Sequence, residues 1–313
     1  MTDVIVIGSG IVGLTSAVRL AEAGHDVAVW TREPAEATTS AVAGGLWWPY
    51  RIEPAGLVTR WGLRAMDVFR EQAERPEETG VRMVVGTEAG AGFEDTGPWA
   101  RELEGLREAL PEELPPSFGR GLRARVPLVD VPFHLGWLRR RLEAAGGRVE
   151  DRMAASLAEP RASVVVNCAG LGARELAGDE SVAPVRGQIL VVENPGVEEW
   201  LVAADPRETE TTYLLPQPYG LVLGGTADED AWDRTPDPAT AEAIVARCAR
   251  FVPEVASARV LAHKVGLRPA RPAVRLEAED TADGTRVVHN YGHGGAGVTV
   301  AWGCADEVVR LVG

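Results

Sequence analysis

Cysteine is scarce in this 313-residue chain, and so is positive charge. The three cysteines, Cys168, Cys248 and Cys304, lie far apart. They show neither zinc spacing nor a CxxC pair, so a metal site, a redox dithiol and a disulfide framework are not expected, and reduced, mostly buried thiols are. Lys and Arg total 32 against 46 Asp and Glu, a net charge of −14. Such a surface repels phosphate backbones and anionic lipid, which argues against nucleic-acid and membrane partners. No apolar run approaches the roughly 20 residues that span a bilayer. The opening run, residues 4–7, is too short for a signal-peptide core and has no basic leader. The last four residues carry no peroxisomal signal, so the cytoplasm is the expected address. Internal repeats and low-complexity tracts are missing too. The length suggests about two domains, and the sequence leaves the oligomeric state open, a homodimer included.

What is present begins at the N-terminus. Val4-Ile5-Val6-Ile7 is a continuous apolar run, as in a parallel strand buried on both faces. Helical spacing follows from Ile11 to Ala23, with Gly24 as the C-cap, and residues 27–30 form the next buried strand. Between the first strand and the helix lies Gly8-Ser9-Gly10-Ile11-Val12-Gly13, a GxGxxG. The first glycine permits the tight turn, the second lets backbone approach a pyrophosphate, and the third allows close helix–strand packing. The pyrophosphate of a dinucleotide would then lie at a helix N-terminus. This motif alone does not separate NAD from FAD. Arg32 and Glu33 stand where a ribose contact is expected, and the sequence does not say which of the two faces it.

Further along, residues 54–127 are rich in proline and glutamate, and read as an inserted, partly helical region with helical spacing over 60–75 and 99–110. Helices are expected over 133–145, 238–250 and 297–311, with a short strand over 162–167. The stretch from 187 to 227 is strand-rich and reads as an antiparallel sheet. Near the C-terminus, Gly292 to Gly297 places four glycines in six residues just ahead of a helix, a turn that brings backbone amides against a flat ring system.

The run Val287-Val288-His289-Asn290-Tyr291-Gly292-His293-Gly294-Gly295-Ala296-Gly297-Val298-Thr299 resembles the signature of the D-amino-acid oxidase family. So do Ala43-Gly44-Gly45-Leu46-Trp47-Trp48-Pro49-Tyr50, Val165-Val166-Asn167-Cys168-Ala169-Gly170 and Gly266-Leu267-Arg268-Pro269-Ala270-Arg271-Pro272, all in family order. The resemblance implies an α/β fold: a Rossmann-like FAD-binding domain (1–53, 128–182 and 264–313) interleaved with a substrate domain (54–127 and 183–263) on a mostly antiparallel sheet. It assigns FAD as cofactor, held by Gly8, Gly10, Ile11, Val12, Gly13, Arg32, Thr39, Ser40, Gly44, Gly45, Leu46, Met153, Gly294, Gly295, Gly297, Val298 and Thr299. It implies oxidation of a neutral D-amino acid by hydride transfer to flavin N5, with molecular oxygen reduced to hydrogen peroxide.

By the same resemblance Arg268 holds the substrate carboxylate, Tyr213 donates its hydroxyl to it, and Gly295 offers a carbonyl to the amine. No side-chain base is expected, and His289 and His293 are read as packing residues. Arg271 and Arg275 are read as structural or cofactor contacts. Thr209 stands where vertebrate members carry a second tyrosine, so closure of the pocket falls to another residue such as Tyr50 or Trp48. A second cation selecting acidic side chains would come from Arg207 or Arg234. The alternatives are a glycine, sarcosine or D-aspartate oxidase, a flavin dehydrogenase with a non-oxygen acceptor, an NAD-dependent dehydrogenase, and a non-catalytic flavoprotein.

Overall fold

The computed structural model describes residues 2–203, 210–282 and 284–313. One twisted sheet runs through the molecule. From one edge its order is Arg107–Glu108, Gly121–Val129, Val81–Ala89, Trp200–Ala203, Thr212–Gln217, Gly220–Gly224, Ala183–Val192, Val260–Asp280, Arg286–His293, Val164–Asn167, Asp3–Ile7, Asp26–Thr31 and Arg148–Asp151. The last five strands are mutually parallel. The others pair antiparallel, except that Trp200–Ala203 runs parallel to Val81–Ala89. The expected α/β fold, a parallel dinucleotide-type unit joined to a mostly antiparallel sheet, is therefore what the chain adopts.

The first βαβ unit forms as its pattern requires. Val4, Val6, Val27 and Val29 are fully buried, as befits strands covered on both faces. The helix Ile11–Glu22 packs against the C-terminal helix Gly297–Val312, with Thr15 Oγ1 donating to Ala301 O at 3.4 Å. The latter also crosses Ala55–Gln72 at Gly303, where an added Cβ would come 2.2 Å from Trp61 O. The two ends of the chain thus make one helical layer.

One expectation needs correction. Residues 99–110 are not a helix: one turn, Trp99–Glu102, gives way to Gly105 at φ +80° and the short strand Arg107–Glu108. The region 54–127 is partly helical, as expected, and also supplies Val81–Ala89 and most of Gly121–Val129, paired over nine positions. Beyond these, the helix expected over 60–75 starts a turn earlier and is Ala55–Gln72. Among the described residues no helix is long and apolar enough to cross a membrane.

Candidate active site

A cavity of about 1030 Å³ lies along the carboxyl ends of the parallel strands and continues over one face of the antiparallel sheet. Its first wall is the GxGxxG turn. Gly8 has φ +110°, and a Cβ there would sit 2.4 Å from Cys168 O. A Cβ on Gly13 would lie 1.9 Å from Gly8 O, so the third glycine is what lets helix and strand touch. Gly10 caps the helix Ile11–Glu22 without any side-chain hydrogen bond, which leaves first-turn amides for a ligand. Ile11 N donates to Ser40 Oγ at 3.0 Å, tying this turn to the next wall.

The second wall is the segment around Gly44 and Gly45. Gly45 has φ +83°, and a Cβ there would strike Val129 O at 1.9 Å. Gln217 Nε2 fixes this segment by donating to Gly44 O (2.7 Å) and Val129 O (3.0 Å). The third wall is the C-terminal glycine turn, with Gly292 at φ +85° and Gly294 at φ +54°. It leads into Gly297–Val312, again with no side-chain cap. A Cβ on Gly297 would lie 3.8 Å from Val12 Cγ2, so the two glycine turns, nearly 300 residues apart in sequence, face each other. Two helix N-termini whose N-cap residues supply no side-chain bond and three walls from which side chains are missing fit an extended, flat, phosphate-bearing group such as FAD.

The expected cofactor residues line this cavity, including Arg32, Thr39, Leu46, Met153, Gly295 and Val298, with one exception. Thr299 stands behind it, its hydroxyl bonded to Trp48 N (3.3 Å) and Trp48 O (3.1 Å). Its role is to seat Trp48, a task set by the helix's inward face. Arg32 and Glu33 both line the cavity and approach each other at 3.6 Å.

The other end of the cavity is built on the sheet. Tyr213 opposes Val202 on one side and Gly224 on the other. Its ring lies flat on Gly224 and Gly225, where added Cβ atoms would come 1.9 Å from Tyr213 Cζ and 2.6 Å from its hydroxyl oxygen. Arg268 stands on the neighbouring face of Val260–Asp280. Its guanidinium covers Gly187, whose Cβ would fall 2.4 Å from Nη2, and Nη1 donates to Thr226 O at 2.9 Å. Burial pushes the Tyr213 phenol above its ordinary range, and the adjacent Arg268 charge pulls it part of the way back. Gly295 abuts this pair: a Cβ there would be 3.4 Å from Arg268 Cδ and 3.8 Å from Tyr50 Cδ1. Arg268, Tyr213 and Gly295 therefore converge, as the sequence led us to expect. Tyr50 stands beside them, half-exposed at the mouth, and Trp48 lies deeper.

Gly187, Gly224, Gly225 and Thr226, which make room for the pair and anchor it, were missed in the sequence. The adjacent glycines Gly224-Gly225 in a strand were the available signal. Glu88 was missed as well. It lines the same cavity and accepts from Trp48 Nε1 at 3.1 Å through Oε2. Burial pushes its carboxyl up to about 7, against the pull of the Trp48 bond and with a small push from Asp95. Nothing in the strand pattern marks it.

The remaining candidates resolve into other roles. Arg271 bonds Asp179 (2.8 Å) and Ala273 O, and Arg275 bonds Tyr291 Oη (2.9 Å) and Glu277, so both are structural. His289 bonds Glu279 at 3.0 Å and lies 3.4 Å from Asn167 Nδ2. His293 lines the cavity, but burial pushes its imidazole down to about 4. Arg234 is exposed at the cavity rim, which it lines, and reaches Ala37 O. Arg207 and Thr209 lie outside the described residues.

Comparison with known proteins agrees with this geometry. Residues 3–311 match the family model described as FAD dependent oxidoreductase. A D-amino-acid oxidase from Streptomyces coelicolor is 62% identical over 310 residues, covering 99% of this chain and 96% of its own. Another from Rubrobacter xylanophilus is 49% identical, with 99% and 95% covered. Glycine oxidase from Geobacillus kaustophilus has the same fold, with a TM-score of 0.83 at 18% identity over 99% of this chain and 94% of that one. The chain belongs to the FAD dependent oxidoreductase family, and FAD is its cofactor.

Proposed function

We propose that the chain oxidises D-amino acids with neutral side chains to 2-oxo acids, releasing ammonia and hydrogen peroxide. The observation that carries this reading is the convergence of Arg268, Tyr213 and Gly295 at one end of the cofactor cavity. A guanidinium and a phenol hydroxyl on one sheet face form a site for one carboxylate, the guanidinium supplying a planar fork. The D-amino-acid oxidases of 62% and 49% identity support the same substrate class.

Gly8, Gly10, Ile11, Val12, Gly13 and Ser40 would hold the pyrophosphate, and Arg32 and Met153 the adenosine end. Thr39, Gly44, Gly45, Leu46, Gly294, Gly295, Gly297 and Val298 would hold the flavin. When bound, FAD supplies the two-electron acceptor and the route to molecular oxygen. The protein's share is orientation. Arg268 and Tyr213 fix the carboxylate, the Gly295 carbonyl takes an amine N–H, and the Cα–H bond is thereby aimed in one direction. The amine enters neutral, and its lone pair stabilises Cα as the hydride leaves. Substrate loses two electrons and two hydrogens, oxygen gains them as peroxide, and the imino acid is hydrolysed to oxo acid and ammonia. His293 is too deeply buried to serve as base at neutral pH.

All five mutually parallel strands fall in the FAD domain (1–53, 128–182, 264–313), and most of the antiparallel sheet falls in the substrate domain (54–127, 183–263), with Gly121–Val129 and Val260–Asp280 running across the boundary. Three buried free thiols suit a reducing compartment such as the cytoplasm. The test is a panel of D- and L-amino acids with glycine and sarcosine, scored for peroxide under air. Stoichiometric peroxide from D-amino acids, neutral ones among them, and none from their L enantiomers is expected; turnover of glycine and sarcosine in preference would sink the reading.

A further inference from the structure

Beyond Tyr213 the cavity continues across the sheet to a carboxyl that the carboxylate-anchoring site does not use. Glu88 opposes Val202, and Val202 opposes Tyr213, so the three stand in one cross-strand row on one face. Two strand spacings separate the backbones of Tyr213 and Glu88, about 9–10 Å. Between them the cavity is lined by Val202, Leu215 and the ring of Trp48. Trp48 is itself fixed by Trp99 (ring centroids 5.0 Å) and Trp200 (5.2 Å). Its indole occupies Oε2 of Glu88; among the described residues no cation pairs with the carboxylate.

The neighbours of Glu88 do not supply that cation. Leu122 opposes it from Gly121–Val129, while the adjacent Arg123 bonds Thr87, Glu113 and Glu199. In the turn after Val81–Ala89, Glu94 and Asp95 pair with Arg120. Arg51, at the mouth, lies 5.3 Å above the Tyr50 ring. Glu210 lines the cavity and adds negative charge.

We propose that Glu88 sets the charge selectivity of the side-chain end of the substrate cavity, admitting D-amino acids with a cationic tip and rejecting those with a terminal carboxylate. The proposal rests on the D-amino-acid reading and deepens it. An extended lysine spans about 7 Å from its carboxyl carbon to its ammonium, and a hydrogen bond adds about 2.8 Å. Because the Tyr213 ring leans over Gly224 and Gly225, away from Glu88, the carboxylate anchor lies farther from Glu88 than the two backbones do, and only a long, extended side chain brings its tip toward the Glu88 carboxyl. The indole and aliphatic walls suit a methylene stem, and the free oxygen of Glu88 suits the ammonium. Neutral chains are accepted in either protonation state of Glu88; cationic ones require it ionised.

D-Lysine and D-norleucine, which share the same stem and differ at the tip, provide the test. The kcat/KM of the FAD-loaded enzyme would be measured for both, with D-glutamate as a third substrate, at pH 6 and pH 8. Titration of the α-amine scales both rates alike in this range, so their ratio isolates the tip. With the carboxyl near 7, the D-lysine to D-norleucine ratio should rise about 10-fold from pH 6 to pH 8. Glu88→Gln keeps an acceptor for Trp48 Nε1 but loses the charge. It should abolish that rise, lower the ratio at pH 8 at least 10-fold and improve D-glutamate. Glu88→Leu should move the ratio the same way and raise kcat/KM for D-norleucine. An equal ratio and pH profile in wild type and both variants would overturn the proposal while leaving the D-amino-acid reading intact. Oxidation of none of the three substrates by the wild type would overturn both.

Discussion

Arg268 is oriented before any substrate arrives, because its fork lies over Gly187 and one nitrogen is already committed to Thr226 O. Pre-organisation of this kind lowers the entropy lost on binding. Removing the guanidinium leaves a carboxylate without its counter-charge in a partly buried site, which costs about 2–5 kcal/mol. Arg268→Ala should therefore lower kcat/KM for D-alanine by about 30- to 5,000-fold, with FAD absorbance retained in the purified protein. Arg268→Lys should recover little, since one ammonium cannot bond Thr226 O and grip both carboxylate oxygens. Normal turnover by Arg268→Ala would remove the carboxylate from this site. Tyr213→Phe keeps the ring on Gly224 and deletes one hydrogen bond to a charged group, about 1.5–3 kcal/mol. It should raise KM about 10- to 100-fold, a milder loss that steady-state kinetics separates from that of Arg268→Ala.

At the scale of elements, the glycine turns are where sequence and structure agree most closely. Gly8 to Gly13 and Gly292 to Gly297 could be read because backbone approach demands glycine at those positions and no other residue meets the demand. The strand Val260–Asp280 could not, since Pro269, Pro272 and three arginines disguise it. Its register slips between Ala270 and Arg275, and the irregularity accommodates Pro272. Val81–Ala89 was hidden differently: only one of its edges shows apolar alternation, and Glu88 breaks the face that enters the cavity. Local pattern reports what a strand buries, whereas a polar residue facing a cavity reads as any surface residue would. A prediction at this scale concerns Gly13. Gly13→Ala would place Cβ 1.9 Å from Gly8 O, a backbone atom that cannot step aside. The helix Ile11–Glu22 must then lift from its strand, taking its amide-lined N-terminus with it. The variant should purify without the flavin's visible absorbance, or with a fraction of it, and melt several degrees lower. Full FAD occupancy in Gly13→Ala would show that this close packing does not shape the cofactor site.

For the whole molecule, the groups displaced from their ordinary titration ranges couple the site to stability. Burial pushes His134 and His293 down to about 4; for His134 this outweighs its hydrogen bond to Thr79 O. Between pH 5 and 6.5 both are neutral in the native protein and protonated when unfolded, so each makes stability rise with pH. Glu88 acts in the opposite sense. In that window it is protonated in the native protein, with its carboxyl near 7, and ionised when unfolded. Counting these three alone, the unfolded chain binds two more protons at the histidines and one fewer at Glu88. The net is one proton, or about 1.4 kcal/mol per pH unit of stability gained as pH rises. His289, also pushed down by burial, adds to the slope, and Asp130, pushed up by burial, subtracts from it. Those shared contributions cancel when Glu88→Gln is compared with wild type. The variant lacks the opposing proton, so its slope between pH 5 and 6.5 should be steeper by about 1.4 kcal/mol per unit. Denaturant unfolding of both proteins at three pH values in this window measures that difference directly. Parallel slopes would mean that Glu88 is already ionised in the native state at these pH values, and the about 10-fold rise in D-lysine preference from pH 6 to pH 8 should then vanish as well.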